Sequence, residues 1–222
     1  MVTPRLTVIA GAYGSGKTEV AINYALRLRA KGKNVNMVDL DIVNPFFRTR
    51  DIRDYLTRQG IQVISSNEGL EAADIPALSP KIIGLLQSRD YDGVFDVGGD
   101  PAGATAMGRF NRYFQEEPYS FWVVVNPFRP DTRDAEQIKA MVQEIEKASR
   151  LQATGLIDNT NLGSATTPED RLHGRKVLHS AAELLGLPLV WRTLSNLCPP
   201  ENGEDQVPYL PLTLYMRPEW ME

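Results

Sequence analysis

The chain has 222 residues, 42% hydrophobic, 8% aromatic and 23% charged, ordinary globular values that exclude a disordered chain. Its net charge of −4 gives no electrostatic case for nucleic acid or an anionic membrane as the main partner. A lone cysteine, Cys198, excludes an internal disulfide and suits a reducing compartment. No signal peptide or membrane-spanning run is visible, so a cytoplasmic location is expected. The length suits one α/β domain spanning 1–222.

Leu6-Thr7-Val8-Ile9-Ala10 is a short apolar, β-branched run that suits a buried parallel strand. Gly11, Ala12, Tyr13, Gly14, Ser15, Gly16, Lys17 and Thr18 follow, reading G-x-x-x-x-G-K-[ST], the phosphate-binding P-loop pattern. The glycines let the backbone turn so that successive N–H groups face a chain of phosphates. Lys17 adds a cation for the β- and γ-phosphates, and Thr18 a hydroxyl for Mg²⁺. Val20, Ala21, Tyr24, Ala25 and Leu28 then recur at helical spacing, with Gly32 as the stop. The loop thus opens a helix whose dipole favours the same anion.

Val35–Val38 reads as a second strand, ending in Asp39-Leu40-Asp41. Residues two apart on a strand point the same way, so both carboxylates are expected to face the phosphates. Asn44-Pro45-Phe46-Phe47-Arg48 has the look of a segment that closes over a ligand, although Phe46 and Phe47 fit plain packing equally well. A helix is expected over 51–58, stopped by Gly60, then a short strand over 61–64. Ser79-Pro80 starts a helix to about residue 88. Residues 93–95 lead to Asp96, an apolar strand ending in an acid, the Walker B pattern. The D-x-x-G spacing places Gly99 where its N–H can meet a γ-phosphate.

A helix near 105–115, a strand over 121–125 and a helix over 131–150 come next. The strand over 154–157 leads into Asp158-Asn159-Thr160-Asn161, well placed for a base. The loop has neither the lysine nor the acid of the guanine-reading N-K-x-D arrangement. An Asn amide donates and accepts together, as adenine requires, so Asn159, then Asn161, are the expected adenine contacts and ATP the expected nucleotide. Thr167-Pro168-Glu169-Asp170 starts a helix closed by Gly186, and 189–191 is the last expected core strand. His173 and His179 fall on different faces of that helix and make no metal pair. Cys198 is expected to be an inert thiol. A proline-rich tail, about 195–222, carries Pro208, Pro211 and Pro218 and cannot be one continuous helix. Strands alternating with helices predict an α/β fold with a mainly parallel sheet and right-handed crossovers.

The P-loop at 11–18, Asp39-Leu40-Asp41 and Asp96-x-x-Gly99 together resemble the CobQ/CobB/MinD/ParA-type ATPases, over residue 3 to about 192. The resemblance implies a three-layer P-loop NTPase fold with about seven strands, Mg-ATP, slow hydrolysis and often a homodimer with nucleotide at its interface. It also implies that Asp41 orients the hydrolytic water, beside Lys17 as the other catalytic residue. Thr18, Asp39 and Asp96 would then serve Mg²⁺. Ala12 stands where the deviant-Walker-A branch carries its signature lysine. A dimer in which that lysine crosses to the partner is therefore not expected, and hydrolysis should be slower. The membrane-targeting helix of MinD and the CxxC motif of the iron–sulfur carrier branch are both missing. The leading expectation is an ATP-driven conformational switch for a protein client. One alternative is an ATP-dependent small-molecule kinase or ligase resembling dethiobiotin synthetase, its pocket lined by Arg48, Arg50, Arg109 and Arg112. The other is a nucleotide-bound scaffold without turnover.

Overall fold

A computed structural model of the chain describes residues 4–40, 52–65, 80–99, 101–195 and 206–216. The elements run β1 (Leu6–Ala10), α1 (Lys17–Ala30), β2 (Val35–Asp39), α2 (Arg53–Arg58), β3 (Gln62–Ser65), α3 (Pro80–Gln87) and β4 (Asp92–Asp96). They continue with α4 (Pro101–Gly108), α5 (Asn111–Phe114), β5 (Tyr119–Val125), α6 (Ala135–Ser149), β6 (Gly155–Asp158), α7 (Pro168–Leu185), β7 (Leu189–Ser195) and β8 (Tyr209–Leu212). All eight strands are parallel and form one sheet in the order β3-β2-β4-β1-β5-β6-β7-β8. The chain is thus a three-layer α/β P-loop NTPase fold.

Alternation along the central strands fills both sides. Val8, Phe95, Phe121, Val123 and Val125 join the core beneath α3 to α7. Ile9, Val94, Trp122 and Val124 join the core beneath α1 and α2. Strands buried on both faces read as continuous apolar runs, which is why 121–125 stands out in the sequence. The ring of Tyr24 on α1 meets Trp122 edge-on at 4.8 Å, anchoring α1 across β5.

Two expectations are corrected. The helix near 105–115 is two helices, α4 and α5, because the chain turns at Arg109 and Phe110 to seat Phe110, Tyr113 and Phe114 in the core. The helix over 131–150 begins only at Ala135, since the Asp134 side chain accepts from Gln137 N and caps it there. The expected mainly parallel sheet of about seven strands is present, with eight strands among the described residues, the proline-rich tail supplying β8. Pro211 is tolerated there because β8 is the sheet edge and pairs only with β7.

Candidate functional site

β1 delivers the chain to the carboxyl edge of the sheet, where open α/β folds bind ligands. Gly16 takes φ 87°, the left-handed conformation that favours glycine, and turns the loop into α1. Gly16 offers no side-chain cap to α1, and a helix start of this kind suits an anion. Lys17 and Thr18 stand in the first turn, both buried. The Ser15 hydroxyl is buried too and has no hydrogen-bond partner among the described residues. Such an orphaned group inside a turn of this shape fits a phosphate oxygen. Tyr13 projects outward, 70% exposed, whereas Ala12 is buried.

The acids sit beside this loop. Asp39 and Asp96 are register partners at the ends of β2 and β4, and Ile9 of β1 is opposite Asp96 on its other side. Both carboxylates fall on the α1 side of the sheet, in phase with Met37 and Val94, and both are buried. The D-x-x-G turn then folds back on the P-loop: a Cβ at Gly99 would run into the Gly11 carbonyl and lie 2.9 Å from the Ala12 carbonyl carbon. Only glycine allows that approach, which also covers Ala12. Asp41, Arg48 and Arg50 lie outside the described residues, as do Asn44, Phe46, Phe47 and Cys198. Thr18, Asp39 and Asp96 are thus the described residues that would hold Mg²⁺, which needs few protein oxygens and keeps several waters.

The loop after β6 comes to the other side of the P-loop. Asn159 donates through Nδ2 to the Ser15 carbonyl at 2.5 Å and accepts at Oδ1 from Thr193 Oγ1 at 2.6 Å. Asn161 donates to the Asn159 carbonyl at 2.8 Å and accepts from Gly163 N at 3.3 Å. Asn126 ties this loop to the end of β5 by donating to the Asn161 carbonyl at 3.0 Å. Both asparagines expected at the base therefore also hold the P-loop and their own loop. By their donor and acceptor inventory each keeps one N–H and one lone pair. Beneath them, the fully buried Arg192 reaches the Asp158 carboxylate at 3.3 Å.

Between the P-loop and this loop lies a cleft bordered by Gly14, Gly16, Asn159 and Asn161. It is completed by Glu19, Arg129, Arg171, Thr193, Ser195, Leu212 and Leu214, none of which stood out in the sequence as site residues. Arg129 Nε donates to the Gly14 carbonyl at 2.8 Å. Arg171 is buried on α7 and donates to the Thr193 carbonyl at 3.0 Å. Among the described residues, Arg129 and Arg171 are the arginines that line this cleft. Arg112 lies at the surface with its guanidinium 4.6 Å from the Tyr113 ring. Glu19 accepts from Tyr215 N and Met216 N. Burial pushes its carboxyl up, and those N–H groups pull it down less strongly. One sequence signal did exist for Glu19: an acid directly after Lys17-Thr18, in a helix's first turn. His173 stacks near Phe128 at 5.9 Å while His179 faces Arg192 at 3.4 Å, so the two diverge as expected. No described helix is long and apolar enough to cross a membrane.

Solved structures share this fold. FtsY from Thermotoga maritima superposes with a TM-score of 0.59 at 21% identity, covering 87% of this chain and 63% of that one. FtsY from Mycoplasma mycoides gives 0.58 at 18% identity, covering 83% and 58%. The signal recognition particle 54 kDa protein from Aeropyrum pernix, in complex with GDP, gives 0.56 at 18% identity, covering 85% and 41%. The chain spans less than two thirds of the length of each of these proteins. No curated protein matches it at a significant level. The model of the CobQ/CobB/MinD/ParA nucleotide binding domain matches residues 6–192, most of the chain, and the protein belongs to this nucleotide-binding P-loop NTPase family.

Proposed function

We propose that the chain binds Mg-ATP and hydrolyses it slowly, as a conformational switch for a protein client. The carrying observation is a helix start without a side-chain cap, with Lys17, Thr18 and the Ser15 hydroxyl buried in the loop that follows β1, while Asp39 and Asp96 end the neighbouring register-paired strands on the same side of the sheet. Phosphoryl transfer asks a protein mainly for positioning and charge, and these residues supply both. Lys17 would meet the β- and γ-phosphates, and Mg²⁺ held near Thr18, Asp39 and Asp96 would neutralise charge between them. The remaining N–H and lone pair of Asn161, and of Asn159, suit the adenine edge. The switch reading draws on Gly99: its turn rests on the Gly11 carbonyl, so a change at the phosphates is felt at once by the chain leading to α4.

Titration calorimetry with ATP and GTP, with and without Mg²⁺, run beside a phosphate-release assay, tests this. The expected result is Mg²⁺-dependent ATP binding, weaker GTP binding and slow release. GTP displacing ATP at equal or lower concentration would overturn the base assignment. Binding of neither nucleotide would overturn the whole reading.

A further inference from the structure

The chain that closes the sheet edge does not stop being held where its ladder ends. The β7–β8 ladder finishes at Ser195 opposite Leu212. Beyond it, four backbone groups are taken up by side chains of α1. Asn23 accepts from Thr213 N at 2.8 Å and donates to the Thr213 carbonyl at 2.9 Å. Glu19 accepts from Tyr215 N at 2.8 Å and from Met216 N at 2.6 Å. Glu19 directly follows Thr18, so the turn that offers Lys17 and Thr18 to phosphate also grips this segment. The Tyr215 hydroxyl lies 3.3 Å from that of Tyr55 on α2, with the rings 5.2 Å apart.

Stability alone accounts for Leu212, which packs in the core beneath α1, but not for an extension pinned to the P-loop helix with Leu214 lining the cleft beyond it. Leu212, packed in that core, and the half-buried Leu214 both line the cleft. Apolar side chains gain nothing from a polyphosphate. They gain from the faces of a base or the carbons of a sugar.

We propose that residues 212–216 are the nucleoside wall of the cleft, with Leu212 and Leu214 as the contact and Glu19 and Asn23 as the latch that seats it. This rests on the nucleotide reading above and adds a positioning role for Glu19. Two ligands separate the wall from the phosphate cradle: ATP touches both, whereas inorganic tripolyphosphate touches only the cradle. Titration of the full chain with each, in Mg²⁺, is the test.

Leu214→Ser should weaken ATP about tenfold, the scale of one lost apolar contact, and leave tripolyphosphate within about twofold. Glu19→Ala should show the same split, and Glu19→Gln, which keeps an acceptor oxygen, should recover part of it. Unchanged ATP affinity in both Leu214→Ser and Glu19→Ala would overturn the wall. So would equal losses for the two ligands, which would mean a disturbed α1. Wild type binding tripolyphosphate as tightly as ATP would remove the nucleoside contact and leave the phosphate site standing. Wild type binding neither would remove the nucleotide reading along with the wall.

Discussion

The first turns of α1 and α7 solve one problem in opposite ways. Every helix begins with N–H groups that lack partners within the helix. At α7 the chain supplies them: Thr167 accepts from Asp170 N, Asp170 accepts from Thr167 N, and Pro168 removes a donor outright. At α1 the cap position is a left-handed Gly16 with no side chain to cap the turn, and Lys17 and Thr18 are buried just inside. The closed end stabilises the fold. The open end holds back stability that a bound anion can return. A helix start without a side-chain cap, beside a buried cation and two buried acids, is a place that suits an anionic ligand.

That contrast can be broken from either side. The largest effect is expected at the open end. Lys17→Ala should cost about 2–3 kcal/mol of ATP affinity, the scale of a charge-assisted contact, while the thermal midpoint without ligand stays near wild type. Calorimetry showing unchanged affinity would make α1 as self-sufficient as α7 and end the comparison. Next comes the chemistry served by that end. Our hypothesis, from the D-x-D pair and the family position, is that Asp41 orients the attacking water. Asp41→Asn should then lower kcat roughly 10²-fold with ATP binding nearly intact. Turnover at the wild-type rate would sink that role. The smallest effect belongs to the closed end: Thr167→Ala should cost about 1 kcal/mol in chemical denaturation and nothing in ATP affinity. A loss of ATP affinity there would show that the α7 cap, too, serves the cleft.

What could be read in the sequence was what is local. The P-loop, the acid ending β4, the capping box of α7 and the alternation of elements all lie within short windows, where spacing maps directly onto geometry. The register of Asp39 with Asp96 was within reach too, once two strands ended in acids. The missing parts are tertiary. Glu19 meets Tyr215 across 196 positions, and no periodicity links them. Arg129 and Arg171 reach the cleft only because their loop and helix fold onto it. The eighth strand was hidden because its prolines argue against a strand everywhere except at a sheet edge. The break between α4 and α5 was hidden because aromatic burial overrides a helical pattern that would otherwise run on.

The placement of β8 has a consequence for the order in which the protein is made. The P-loop, the two paired acids and the strand beside them have all left the ribosome by Val125. The wall at Leu212 and Leu214 emerges almost a hundred positions later and joins the edge farthest from β3. Synthesis therefore builds the phosphate cradle early and the nucleoside wall last. On the wall proposed above, the phosphate cradle is in place before the nucleoside has its apolar contact. Full affinity then waits on the pairing of β8 with β7 and the seating of its extension on α1.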